Sequence, residues 1–166
     1  LWDYLKFLKD PKYAQTRKDL EFIARNGQVA TPSEIGAVTD ICQYVQTLKT
    51  KFADDMKKTF KNSKEFKSNT KGLARAVYKM DEYAGDAADP KKNRPRPSFN
   101  YIWDLLRCKA VYVDIEDLRK DFVTLTGKYE VIQIKDKLKT PLKNITMNIV
   151  YDKVIAEIQL VYGEVA

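Results

Sequence analysis

The segment "ITMNIVYDKVIAEIQLVY" (residues 145–162) decides the fold predicted for this chain. Apolar and polar residues alternate on both sides of Asp152 and Lys153, a pattern that predicts a β-hairpin with a two-residue turn. Five residues of the second strand share its first face: Val154, Ala156, Ile158, Leu160 and Tyr162. Glu157 and Gln159 fall on its second face, among β-branched residues, where a carboxylate must be exposed, paired or bound.

Two further strands and a helix are predicted immediately before this hairpin. The run "CKAVYV" (residues 108–113) is apolar enough for a buried strand, and "KYEVIQIK" (residues 128–135) is a second strand. Between them, residues 114–127 have the pattern of a helix, with Asp114 as the candidate N-cap. Residues 101–166 are therefore predicted to form a β-α-β-β-β sheet.

A long amphipathic helix is predicted over residues 31–61. Thr31 is a suitable N-cap, Pro32 suits the first helical position, and Glu34 completes a capping box. Nine apolar residues then recur every three or four positions: Ile35, Val38, Ile41, Cys42, Val45, Leu48, Phe52, Met56 and Phe60. A continuous stripe of this kind indicates core contact.

A second, basic helix is predicted over residues 64–84. Four cations in this segment are spaced four residues apart: Lys67, Lys71, Arg75 and Lys79. On a helix they would form one cationic ridge, because residues four apart lie on the same face. The ridge has two interpretations, a solubilising surface or a row of phosphate contacts.

The remaining segments complete a plan of one domain over residues 1–166. Residues 1–30 are predicted as short helices, and residues 85–100 as a Pro-rich, charged loop. The fold class is predicted to be α+β, with N-terminal helices followed by a small mixed β-sheet. A length of 166 residues suits one domain with one core.

Composition limits the possible chemistry. The net charge of +7 favours anionic partners, which include nucleotides, RNA and acidic protein surfaces. The chain has no histidine, which excludes His-metal sites, Ser-His-Asp triads and Cys-His dyads. Cys42 and Cys108 are predicted to be buried free thiols, so the chain is expected to be intracellular, in a reducing compartment. No transmembrane helix is expected, because the apolar runs are short.

Two carboxylates lie in or next to this predicted sheet. Asp104 just precedes the first strand, and Glu157 lies on the last. If those strands are neighbours, the two carboxylates and the cationic helix supply the parts of a Mg²⁺-dependent nucleotide site. The alternative is a structural ion-pair network in which Asp104 balances nearby cations such as Arg107 and Lys109.

Four segments in order resemble the RelA/SpoT-type synthetase domain, which transfers pyrophosphate from ATP to a guanosine nucleotide. They are "KGLARAVYKMDEY", "IWDLLRCKAVYVD" with "IEDLRKDF", "YEVIQIKDKL" and "VIAEIQL". The resemblance covers about residues 67–160 and is strongest to divergent members of eukaryotic microbes. It implies a nucleotidyltransferase-like sheet.

The resemblance also implies a role for individual residues. Asp104 and Glu157 would be Mg²⁺ ligands or catalytic acids, and Gln159 would orient Glu157. Seven cations would contact phosphates, the first three those of ATP and the last two those of the acceptor: Lys71, Arg75, Lys79, Arg107, Lys109, Lys135 and Lys137. An active member would need Mg²⁺ and ATP.

The chain also departs from the pattern of active members. Lys109 stands where they have arginine, and lysine lacks the bidentate fork of a guanidinium. The stretch "KTPLKNITMN" (residues 139–148) has no aromatic residue to stack on the acceptor base. A catalytically degenerate binding or scaffold subunit of a larger assembly is therefore expected. An active pyrophosphokinase is the alternative, and RNA binding through net charge is a third.

Overall fold

The computed structural model describes residues 32–87 and 101–163, together with Pro11 and the pair Lys91–Lys92. The elements, in chain order, are α1 (Pro32–Thr59), β1 (Glu65–Thr70), α2 (Leu73–Ala87), β2 (Leu106–Tyr112), α3 (Ile115–Lys128), β3 (Val131–Lys137), β4 (Asn144–Tyr151) and β5 (Val154–Tyr162). The predicted α+β class, a long helix followed by a small mixed sheet, is confirmed. The short helices predicted over residues 1–30 lie outside the described residues, apart from Pro11.

The described residues divide into two compact units. The first contains residues 32–46, 71–87 and 101–105, and the second contains residues 47–70 and 106–163. Nine buried residues form the core of the first unit: Ala37, Val38, Ile41, Cys42, Val45, Ala76, Met80, Ile102 and Leu105. The prediction of one domain over residues 1–166 stays a prediction.

The second unit is built on a five-stranded mixed sheet with strand order β1-β2-β5-β4-β3. Only the central β2–β5 pair is parallel, and the other three pairs are antiparallel. One face of the sheet is apolar and packs against α3 and the part of α1 after Gln46. Phe52 of α1 meets Tyr151 edge to face, with ring centroids 5.0 Å apart. Phe60 lies 6.4 Å from Phe66 of β1.

A buried hydrogen-bond network also ties this face of the sheet to α3. The Asp121 carboxylate, 1% exposed, accepts from the hydroxyl of Tyr112 at 2.7 Å. It also accepts from the backbone and side-chain amides of Asn62, at 3.1 and 2.7 Å. Burial, and then the hydrogen bond to Asp121, raise the pKa of Tyr112, so its phenol stays a donor.

The predictions for the C-terminal half are confirmed. The β4–β5 hairpin turns at Asp152 and Lys153, whose φ angles of 45° and 74° are typical of a type I′ turn. The side chain of Asp114 accepts from the Glu116 amide at 2.8 Å, as an N-cap does.

Cys42 and Cys108 are free and buried. None of the helices in the described part of the chain is long and apolar enough to cross a membrane.

The helix predicted over residues 31–61 is α1, and eight of the nine apolar residues of its stripe are buried; Ile35 is the exposed one. The prediction of a basic helix over residues 64–84 is wrong at its start. Glu65–Thr70 is strand β1, and α2 begins only at Leu73. The segment pairs with β2 along its whole length, and this tertiary pairing outweighs local helix spacing.

The single cationic ridge is therefore also wrong. Lys67 lies on β1 and Lys71 in the connection that follows, so only Arg75 and Lys79 of the four are on α2. The Pro-rich loop predicted over residues 85–100 starts later than expected, because α2 continues to Ala87. Lys91 and Lys92 form a turn, and the rest of that loop lies outside the described residues.

Candidate functional site

One face of the five-stranded sheet is polar, and we call it the polar face. Strand register places its residues in three rows that run across the sheet in the order β1, β2, β5, β4, β3. The rows are Asn69–Arg107–Glu157–Asn148–Gln133, Lys67–Lys109–Gln159–Thr146–Lys135 and Glu65–Val111–Val161–Asn144–Lys137. Successive residues of a strand alternate between faces, so these side chains share one surface and the apolar core residues occupy the other.

The polar face has an excess of positive charge. Five cations lie on it, against the two carboxylates of Glu65 and Glu157: Lys67, Arg107, Lys109, Lys135 and Lys137. Asn, Gln and Thr side chains in the same rows add hydrogen-bond donors. A surface with this composition suits a ligand that has several negative charges and many acceptor oxygens.

Arg107 and Glu157 form an ion pair near the centre of the polar face. They are register partners on the parallel strands β2 and β5, and Arg107 Nε lies 3.5 Å from Glu157 Oε2. Their side chains are only 26% and 19% exposed, so water screens the pair weakly. Both charges act on the neighbouring thiol of Cys108, whose pKa is raised mainly by burial. Arg107 lowers that pKa and Glu157 raises it.

Lys67 and Lys109 are direct cross-strand partners on β1 and β2. Within the described part of the chain, neither ammonium group has a carboxylate partner within 4.0 Å. Together with Glu65 and Val111 they line a small depression on the polar face. Like charges placed opposite each other repel, so an anion bound between them would relieve an unfavourable interaction.

Lys135 and Lys137 lie at the edge of the sheet, on the terminal strand β3. Both are exposed, and no ion pair involves either of them among the residues that the structure describes. Gln159, on β5, lies in the same row as Lys109 and Lys135, one register step from Glu157. The second unit thus brings together six of the predicted site residues: Arg107, Lys109, Lys135, Lys137, Glu157 and Gln159.

The first unit contains the other predicted site residues. Arg75 Nη2 donates to Asp104 Oδ2 at 3.1 Å, with the two side chains 43% and 23% exposed. Lys79 forms an ion pair with Glu82 at 3.3 Å. The backbone amide of Lys71 donates to the Leu105 carbonyl at 2.8 Å, which fixes the chain just before α2. Arg75 and Asp104 are therefore the pair that this unit assembles.

Three residues of the polar face were not predicted from the sequence as site residues: Lys67, Asn148 and Thr146. The alternation of "EFKSNT" was the available signal for Lys67, because it places Phe66 on the apolar side and the charged residues on the other. The neighbours of Glu157 on β4 had no local signal, since they depend on strand order.

The fit of Mg²⁺ to these residues can be tested on the two candidate carboxylates. Each already has an arginine cation beside it, Arg75 at Asp104 and Arg107 at Glu157. No group of three or more Cys, Asp or Glu side chains that could hold a metal ion occurs among residues 32–87 and 101–163. The described residues thus offer no group of three protein ligands, and Mg²⁺ at either carboxylate would have to compete with an arginine. Joint metal binding by Asp104 and Glu157, which belong to different units, stays a prediction.

Comparison with known proteins gives a match at the level of structure. No family model matches the chain. No curated protein sequence matches it either. Among solved structures, the small alarmone synthetase 1 of Bacillus subtilis superposes with a TM-score of 0.50 at 13% identity, over 72% of this chain and 65% of that one.

A second structure of that synthetase, bound to its product pppGpp, gives a TM-score of 0.49 at 14% identity, over 72% of this chain and 68% of that one. The protein smu.1046c of Streptococcus mutans gives 0.46 at 19% identity, over 72% and 66%. The chain spans about two thirds of the length of these structures. Its fold is the RelA/SpoT-like fold of the nucleotidyltransferase type, as the sequence resemblance predicts.

Proposed function

We propose that this chain is a divergent RelA/SpoT-like domain that binds a nucleotide polyphosphate but no longer transfers pyrophosphate. The observation that carries the proposal is the polar face, where five cations and a set of amide and hydroxyl groups surround only two carboxylates. The fold likeness to an alarmone synthetase supports a nucleotide as the ligand.

The proposed phosphate contacts in the second unit are Arg107, Lys109, Lys135 and Lys137, to which the structure adds Lys67. Their side chains project from one surface, and the row that contains Lys67, Lys109 and Lys135 carries cations from three strands. A polyphosphate has charges spread over several oxygens, and separate lysines neutralise it well as point charges. In the first unit, Lys71, Arg75 and Lys79 remain proposed phosphate contacts on the strength of the sequence resemblance.

The proposed loss of catalysis is supported by the pairing of both candidate catalytic carboxylates. Asp104 and Glu157 each have an arginine within 3.5 Å, and a guanidinium competes with a metal ion for the carboxylate oxygens. Two departures from active members also support the loss of catalysis. Lys109 stands in place of an arginine, and residues 139–148 contain no aromatic residue to stack on the acceptor base.

We further propose that the domain serves as a binding or scaffold subunit of a larger assembly. The net charge of +7 supports an anionic partner, either an acidic protein or RNA. Sedimentation of the endogenous protein tests this role directly. Sedimentation within a large particle is expected, whereas a free monomer would overturn the scaffold role and leave nucleotide binding intact.

The alternative function is an active pyrophosphokinase that uses Mg²⁺ and ATP, favoured by the retention of Asp104, Glu157 and Gln159 on a synthetase-like fold. Incubation of the purified protein with labelled ATP, Mg²⁺ and a panel of GTP, GDP and other acceptors separates the two functions. We expect ATP to bind and to be recovered unchanged. A labelled product that disappears in Glu157→Gln would establish the active enzyme instead.

A further inference from the structure

Arg107 occupies the place beside Glu157 where a metal-dependent nucleotide site would need an open carboxylate. The two side chains are held together by register, because residues 107 and 157 are partners on adjacent parallel strands. Glu157 is therefore neutralised by a cation that belongs to the protein.

The geometry of the pair leaves Arg107 able to bind a second anion. Its Nε is the atom nearest Glu157, at 3.5 Å, and a guanidinium has four further N–H donors on its two terminal nitrogens. Glu157 lies on the Nε side of the guanidinium, so the ion pair favours an orientation in which the terminal nitrogens point elsewhere. Arg107 can thus present a bidentate edge to a phosphate group while Glu157 positions it.

The neighbouring cations supply the rest of the charge that a polyphosphate requires. Lys109 and Lys67 lie in the adjacent row, and Lys135 lies at the far end of that row. None of these three lysines has an ion-pair partner in the described part of the chain. Arg107, Lys109 and Lys67 on the adjacent strands β1 and β2 therefore supply three positive charges close together, without a bound metal ion.

A divalent cation would be less favourable at this position than in a metal-dependent site. Mg²⁺ beside Glu157 would place two positive charges near the Arg107 guanidinium, where the low exposure of the pair limits screening by water. Mg²⁺ bound to the polyphosphate would also cancel the negative charge that the lysines recognise. Both effects oppose binding of the metal complex.

We infer that the polar face binds the polyphosphate of its nucleotide in the metal-free form, with Arg107 acting as a built-in counter-cation positioned by Glu157. This inference rests on the proposed function, since it specifies which form of the nucleotide that function uses. Arg107 is the residue that determines the preference for the metal-free form. The ligands are di- and triphosphates without a bound metal ion.

The test is isothermal titration calorimetry of the whole chain with inorganic pyrophosphate and with ATP, once in EDTA and once in excess Mg²⁺. The wild-type protein is expected to bind both ligands in EDTA and more weakly in Mg²⁺. Arg107→Ala is expected to lower the affinity in EDTA about tenfold, because a charge-assisted hydrogen bond is lost. In Mg²⁺ the same variant is expected to lose less, since removing the Arg107 charge makes a metal ion beside Glu157 less unfavourable.

Arg119→Ala is the matched control, because Arg119 also pairs with a glutamate, Glu116 at 3.0 Å, but on the exposed surface of α3. It is expected to bind as the wild type does. Binding by the wild type only in Mg²⁺ would overturn the metal-free preference and leave the proposed function standing. No binding in either buffer would overturn the proposed function itself. The wild-type comparison needs no variant, so it holds even if Arg107→Ala fails to fold.

Discussion

Lys67 and Lys109 face each other directly across β1 and β2, a like-charge pair on the polar face. Such a pair costs stability in the free protein, about 0.2–1 kcal/mol by analogy with other cross-strand pairs. Nothing in the packing of β1 requires a cation at this position, because the side chain of Lys67 is exposed. An anion bound between the two lysines would relieve this repulsion, in line with the proposed function.

Lys67→Gln is therefore expected to change stability and binding in opposite directions. The free energy of unfolding should rise by about 0.2–1 kcal/mol as the repulsion disappears. The affinity for pyrophosphate should fall about two- to fivefold, the value of one exposed ion pair. Urea denaturation and calorimetry measure the two quantities. Lys120→Gln, which removes an exposed lysine from α3, is the control and should leave pyrophosphate affinity unchanged.

Glu157→Gln is expected to strengthen anion binding. The substitution removes the charge of one of the two carboxylates on the polar face, so the positive potential at the surface rises, while the glutamine oxygen can still accept from Arg107 and keep it positioned. We expect a gain in pyrophosphate affinity of about two- to fivefold in metal-free buffer. Weaker binding by this variant would indicate that Glu157 holds a metal or a ligand hydroxyl, as in an active synthetase.

Tyr112→Phe is expected to destabilise the fold without changing binding. The substitution removes one donor from Asp121, a carboxylate that is 1% exposed, and leaves it with the two amides of Asn62. Loss of a partner to a buried acceptor costs about 1–3 kcal/mol. Chemical denaturation gives this difference. Because Tyr112 lies on the apolar face, its loss should leave pyrophosphate affinity unchanged, and a large change would contradict the separation of the two faces.

The two thiols are expected to be inert in the folded protein. Burial raises the pKa of Cys42 from 9.0 to about 11, and it raises the pKa of Cys108 as well. At pH 8 the thiolate fraction of Cys42 is then roughly a hundredfold below that of an unfolded cysteine. A thiol reagent should therefore react with neither cysteine at pH 8 until denaturant is added. Rapid reaction of the native protein would show that one of them is accessible.

The same shifts give stability a pH dependence. Well below pH 9 both thiols are protonated in the folded and the unfolded chain, so they contribute no slope. Between pH 9 and about 11 only the unfolded chain releases the proton of Cys42, so stability falls as pH rises. Cys42→Ala should remove this loss, seen in thermal unfolding between pH 8.5 and 10.5, in addition to a packing cost that does not depend on pH.

The elements predicted well from the sequence are those whose signal is local. The β4–β5 hairpin is encoded by alternation and a two-residue turn, and α3 by the Asp114 cap. Strand β1 was not predicted because Lys67 continues the four-residue spacing of the cations Lys71, Arg75 and Lys79, which suggested one helix. The alternation in β1 covers only six residues, too few to outweigh that helical spacing. Pairing with β2, some forty residues later, settles its conformation.

The candidate site was only partly predictable for a related reason. Arg107 and Glu157 were each recognised, yet their pairing depends on β2 and β5 being parallel neighbours in register. Strand order is a property of the whole sheet, and no periodicity within either strand encodes it. The sequence thus indicated the residues of the polar face but not which of them neutralise one another.

The most direct test of the account is a ³¹P NMR titration of ATP with the protein, in the presence of Mg²⁺, GDP and GTP and again in EDTA. If the polar face binds nucleotides without transfer, the ATP phosphate signals will shift or broaden as protein is added, and more strongly in EDTA. No new phosphorus signal will appear on long incubation. The appearance of AMP together with a new pyrophosphorylated nucleotide would contradict the loss of transfer. ATP signals that remain unchanged at every protein concentration would contradict nucleotide binding by the polar face.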